Sequence, residues 1–229
     1  MPEEKRTQID LEDISPNSLN QYGKYDGNHK DISAIKKRLL FMNLIEDPLS
    51  PILNTQTEPW DFNDPPHDLE DMVRSMGVVM NEKAGLGLSA NQVGRPYSVF
   101  IMRWQEEKQI KVFVNPTVVN TSGENLLMEE GCLSYPGYWT KIKRPSECRI
   151  RAANVTGQVD TYQLGGLTAR VALHEMDHLT GTRWYGRASS YHHTQAKNKK
   201  KSLDRARKRN KLEAPVKMPD LSFDEIALV

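Results

Sequence analysis

The 229-residue chain contains only two cysteines, Cys132 and Cys148, too few for a disulfide scaffold. It has no apolar stretch approaching the ~18 residues that span a bilayer. The first residues, MPEEKRTQIDLEDI, lack the basic start and apolar run of a secretory signal and are too acidic for a usual organellar transit sequence. Net charge is only +1, so the chain as a whole is not a polyelectrolyte. GLGLSANQVG, residues 85–94, lacks the glycine spacing and preceding strand of a dinucleotide loop and has no lysine for a phosphate loop, which argues against nucleotide binding. Together these absences lead us to expect a soluble monomer in a reducing, cytoplasmic compartment (the host cytoplasm if the source is viral), where a cysteine can persist as a metal ligand.

Apolar residues make up 38% of the chain, a lowish share that fits a core diluted by polar extensions. We divide the chain into a polar extension with a short helix at 1–46, a catalytic domain at 47–187 and a basic tail at 188–229. The stripe Ile32, Ile35, Leu39 and Met42 predicts a helix over 31–46. A second helix is expected between Asp64 as cap and Gly85 as stop. Its methionines Met72, Met76 and Met80 suit core packing, because thioethers fill gaps. Strand-like runs follow at 97–102, 111–114 and 148–155, the last turning at Gly157 to pair with 158–164. A further helix is predicted over about 166–180, with Gly181 as its stop. Strands gathered between two helices indicate an α+β fold, with mixed or antiparallel strands packed around that helix. In the alternating strand around it, Cys148 reads as packing.

The 166–180 helix carries HEMDH, residues 174–178. Two histidines four apart project from one helix face and suit one tetrahedral ion. Glu175 is rotated about 100° from His174, so it can stand beside an ion without binding it and take a proton from its water. Asp177 points away and reads as solvated. A third ligand is needed. Cys132, preceded by the small Gly131, is either a buried hydrophobe or that ligand. Gln92 offers a neutral amide donor or merely holds a turn.

Taken together, GLGLSANQ (85–92), EGCLS (130–134) and HEMDHLTG (174–181) resemble the peptide deformylases. The resemblance implies a hydrolase that removes the formyl group from formyl-methionine at the start of nascent polypeptides. It implies metal ligation by Cys132, His174 and His178. The metal expected is ferrous iron, with zinc, nickel or cobalt as substitutes. Glu175 becomes the proton carrier, and Gln92 and the Leu133 N–H become donors to the developing oxyanion. Gly87 and Gly131 are expected to bind the extended peptide, and Leu86, Met128 and Leu167 to line the methionine pocket. Arg170 stands where an aliphatic wall residue is common, and Ser89 where alanine is common, the latter read as a small change.

Two other readings use the same residues. One is an HExxH zinc protease, which takes its third ligand downstream. Trp184 occupies the position six residues after His178, and the remaining carboxylates, Asp204, Glu213, Asp220, Asp224 and Glu225, all lie in the tail. The other is a silent scaffold whose tail binds nucleic acid. From Lys197 to Lys211, nine of fifteen residues are Lys or Arg, so 196–212 reads either as a solvated charge run or as a cationic helix that docks on ribosomal RNA.

Overall fold

The computed structural model describes residues 42–104 and 109–210. Five antiparallel strands in sequential order form one sheet: β1 Gly87–Ser89, β2 Val99–Trp104, β3 Gln109–Cys132, β4 Tyr135–Ala153 and β5 Val159–Gly165. Among the described residues three α-helices accompany it: α1 Leu69–Glu82, α2 Gly166–Leu179 and α3 Ser190–Asn210. This is the α+β arrangement expected.

Strand β2 explains how the sheet is held. Its run VFIM is apolar without alternation because both faces are covered. Val99 and Ile101 join Met72, Met76 and Met80 of α1 in one core. Phe100 and Met102 join Ala169 and Ala172 of α2 in a second. Phe100 stacks on Phe113 with ring centroids 4.5 Å apart. Each such fully buried side chain contributes roughly 1.5–3 kcal/mol. Helix α2 is thereby seated on one face of the sheet, with Cys148 packed in the same core.

Several boundaries differ from the sequence reading. Helix α1 begins at Leu69, capped by Asp68, whose side chain accepts from Asp71 N at 2.9 Å. Asp64 lies too far upstream to serve. Residues 42–46 are not helical; there Ile45 N–H donates to Gln92 O at 2.8 Å, tying the segment to the end of the GLGLSANQ motif. The rest of the 31–46 helix, and the arm before it, lie outside the described residues. Tyr97 precedes β2 and bridges to Glu58 instead. Helix α2 ends as expected, with Gly181 at φ 66°, a conformation glycine adopts without strain.

The largest difference is the β3–β4 hairpin. Pairing continues through Thr117↔Arg151 to Gly131↔Trp139, with several register shifts. Most of β3 from Thr117 to Glu129 is exposed. Such a strand shows no inward-facing apolar alternation, and its Pro, Asn and Gly residues read as a loop. The hairpin's cross-strand ladder, not side-chain patterning, makes it a strand. Helix α3 starts six residues before the predicted 196. Its Ala196 is buried with Tyr138, Ile142 and Trp184. Residues 211 and 212 lie outside the described residues.

Candidate active site

Two distant stretches of chain meet at one end of α2. The end of β3 carries Cys132, and α2 presents His174 and His178. One ligand atom from each of the three lies within 4.8 Å of the others, and Cys132 Sγ is 3.2 Å from His178 Nε2. Sulfur plus two imidazoles is a donor set for a tetrahedral borderline ion. His174 Nδ1 stands 3.0 Å from Glu130 Oε2. A carboxylate there only accepts, so Nδ1 carries the hydrogen and Nε2 is left for an ion. Burial disfavours a charged His174, but Cys132 and Glu130 outweigh it and hold the ring up at about 10. Burial, with His174 and Arg144 nearby, pushes His178 well below its ordinary value, leaving a neutral imidazole.

Glu175 is fully enclosed, and burial raises its carboxyl above the ordinary range, against opposing pulls from His174 and Ser89. Its two oxygens are distinguished. The Ser89 hydroxyl donates to Oε2 at 2.7 Å. The other oxygen, Oε1, lies 2.5 Å from where a Cβ on Gly87 would stand, with Val171 Cγ1 at 2.8 Å. Only glycine fits beside that carboxylate. Ser89 is thus not a small change from alanine: its hydroxyl fixes one oxygen of Glu175.

Gln92 is buried and doubly anchored. Its Oε1 accepts from Ser89 N at 2.9 Å, which orients Nε2 toward Ser134 Oγ (3.1 Å) and Cys132 Sγ (3.5 Å). Leu133 follows Cys132 in the turn, and a Cβ at Gly85 would meet its Cδ1 at 2.8 Å, so the first two motifs touch. Gly131 is required because the Trp139 indole occupies its Cβ position, at 2.8 Å. Leu86 just before β1, Met128 on β3 and Leu167 on α2 keep 37–38% of their surface exposed. Leu86 precedes Gly87, which abuts Val171 one turn beyond Leu167. Met128 pairs with Ile142, whose carbonyl accepts from Arg170 Nη1 at 3.0 Å.

A buried charge network underlies the site. Arg144 bonds both oxygens of Glu130, at 2.7 and 3.0 Å, and pairs with Asp177 Oδ2 at 2.9 Å. Arg170 donates to Glu130 Oε1 at 2.6 Å and to Leu126 O at 2.7 Å. Its charge is thus consumed by Glu130 and two strand carbonyls. Asp177 is not solvated: it is buried, and Arg187 also grips it, at 2.6 and 2.8 Å. Glu130, Arg144 and Ser89 escaped the sequence reading as functional residues, because an isolated charge or hydroxyl carries no periodic signal of burial. The acidic pair before GCLS was the one available hint. Trp184 is buried 5.0 Å from the His174 ring, centroid to centroid; it packs and cannot ligate.

An α+β domain with a Cys-His-His cluster, and a buried glutamate beside it, defines a metal-dependent hydrolase. A sequence profile of the polypeptide deformylase family matches residues 42–194, and the chain belongs to this family, whose members remove N-terminal formyl groups from nascent polypeptides. Peptide deformylase 1 of Burkholderia multivorans is 32% identical over 172 residues, covering 75% of this chain and 93% of its own. Peptide deformylase of Acinetobacter baumannii is 35% identical over 153 residues, covering 65% and 87%. Among solved structures, a Plasmodium falciparum peptide deformylase superposes with a TM-score of 0.63 at 30% identity, over 75% of this chain and all (100%) of its own. A Synechococcus elongatus peptide deformylase in complex with actinonin gives 0.64 at 27% identity, over 70% and 86%.

Proposed function

We propose that Cys132, His174 and His178 hold one divalent ion and that Glu175 carries the proton as an N-formyl group is hydrolysed. The observation that carries this is the meeting of the three donors within 4.8 Å, with Glu175 buried beside them. Ferrous iron is the native metal in this reading; zinc, nickel and cobalt suit the same donors. When bound, the ion activates water and polarises the formyl carbonyl. The remaining work falls to the chain. Glu175, with Oε2 fixed by Ser89, takes a proton at Oε1 and returns it to the leaving amine. The Gln92 amide and the Leu133 N–H donate to the oxyanion as it develops. The peptide lies extended against Gly87 and Gly131 as an added strand, and Leu86, Met128 and Leu167 receive the methionine side chain. Formate and a free N-terminal amine leave.

The test is formate release from formyl-Met-Ala-Ser by iron-loaded protein under anaerobic conditions. Equal amounts of formate and new amine are expected. Cleavage at an internal peptide bond would favour the protease reading, and no turnover the silent scaffold. Gly87→Ala is expected to lower kcat/KM about 100-fold, the scale of an ångström-sized misplacement, because the new methyl displaces Glu175 Oε1. Metal content should be unchanged, as steady-state kinetics paired with metal analysis would reveal.

The protein acts in this reading as a cytoplasmic monomer. Among the described residues no helix is long and apolar enough to cross a membrane. The exposed face of α3 docks on ribosomal RNA near the emerging chain. Lys197, Lys201, Arg205 and Lys208 are exposed and fall at helical spacing along one stripe. Replacing these four with Gln should flatten the salt dependence of ribosome binding, by about 0.7–0.9 in log–log slope for each phosphate no longer neutralised. An unchanged slope would remove α3 from the interface.

A further inference from the structure

We propose that α3 is also part of the metal site's support, with His193 as a positioning residue. Its bond to Tyr138 fixes an aromatic stack that backs both Cys132 and His174. The proposal rests on the reading that Cys132, His174 and His178 hold the ion.

The stack is built on Tyr138, which is fully buried in β4. Its Oη is 2.6 Å from His193 Nδ1. On one side Tyr135 lies face to face with Tyr138, centroids 4.5 Å apart and planes within 6°. Tyr135 is also the residue that pairs with Cys132 across the turn. On the other side Trp184 meets Tyr138 edge-on at 6.0 Å and then reaches the His174 ring at 5.0 Å. Tyr185 completes the enclosure, lying nearly parallel to His193 at 6.1 Å and edge-on to Tyr138 at 6.1 Å. Cys132 itself packs against the cluster of Tyr138, Ile142, Trp184 and Ala196.

Helix α3 grips this stack from one face. His193, Ala196 and Lys200 are three and four residues apart, the spacing of neighbours on a helix surface. Ala196 is buried in the cluster, and Lys200 Nζ lies over the Tyr135 ring at 5.9 Å. The opposite stripe is charged and exposed. The inner stripe therefore has a task that a solvated tail would not have. A buried phenol hydroxyl needs a partner, and the bond to His193 fixes where the Tyr138 ring stands. The Tyr135 ring, the Cys132 turn and Trp184 are then packed from that ring outward. Groups that orient ligands typically contribute 10–100-fold to metal affinity; His193 acts one layer further out, at the low end of that range.

The test is cobalt(II) binding to the full-length protein, read by chelator competition and by the sulfur-to-cobalt charge-transfer band. His193→Ala is expected to weaken cobalt binding about tenfold and to shift the band. His193→Asn, which keeps a polar atom where Nδ1 stands, should restore both. Tyr138→Phe, which removes only the hydroxyl, should reproduce the loss and carries the comparison if His193→Ala does not fold. Parental affinity and spectrum in His193→Ala or in Tyr138→Phe would overturn the proposal. So would His193→Asn no better than His193→Ala, because loss of packing alone gives that result. A parent protein that binds no cobalt would instead overturn the three-ligand reading on which the proposal rests.

Discussion

Glu175→Gln is expected to cut formate release by about 10²–10⁴-fold, the usual contribution of a positioned acid–base group, while the protein keeps its metal. Cys132→Ala is expected to lose the metal and the activity together. The pair separates two roles that a single inactive variant would confuse. Glutamine keeps the shape of Glu175 and still accepts from Ser89, so the 2.7 Å bond survives, but the amide cannot take a proton. Burial already lifts the Glu175 carboxyl above its ordinary range, toward the pH at which it must both accept and return a proton. Removing the Cys132 sulfur leaves two imidazoles, one of them still oriented by Glu130. Iron or zinc content and formate release, measured on the same samples, decide the matter. A Cys132→Ala protein with full metal and full activity would sink the three-ligand site, and a fully active Glu175→Gln protein would sink the proton carrier.

Arg144→Met should destabilise the metal-free protein by about 3–5 kcal/mol, the cost of leaving buried charges without their partner. Glu130 and Asp177 both lose a bond, and both side chains are about 95% enclosed. Arg187→Met is the control. It removes a guanidinium about half exposed, so about 1 kcal/mol or less is expected. Urea unfolding of the two variants checks the contrast; equal and small losses would mean that the network is not what holds α2 to the β3–β4 hairpin. The same network predicts acid lability. Burial raises Glu130, but the bonds from His174 and Arg144 overcome that and hold it down at about 2, against an ordinary 4.5. A depressed acid stabilises the fold fully above its ordinary value. That contribution, on the order of 3 kcal/mol, is lost as pH falls from about 4.5 through about 2. Glu130→Gln should show a correspondingly flatter stability profile across that window.

Local chemistry made part of this legible in the residues. HEMDH sets two histidines and Glu175 on one helix whatever surrounds it, because 3.6 residues per turn is a backbone property. Met72, Met76 and Met80 declare their burial by period, and Gly181 its turn by conformational freedom. Cys132 as partner of those histidines was legible only through resemblance, since the 41 residues between Cys132 and His174 carry no local signal of closure. The outer part of the β3–β4 hairpin, from Thr117 to Glu129 on β3, which brings Cys132 into place, gave almost no signal. Exposed strands have no alternating pattern, and their pairing energy lies in a ladder to another segment.

The placing of His174, Glu175 and His178 on one helix, and the three motifs that mark the family, could be read along the chain. Three-dimensional packing alone shows that Asp177 and Arg170 are buried in one ion network, that Ser89 fixes Glu175 Oε2, and that α3 closes on the aromatic stack behind Cys132 and His174. The reason is physical. A side chain's period reports which face it occupies, but its partner is chosen by long-range packing, and neither a charge nor a hydroxyl announces along the chain which distant group will satisfy it.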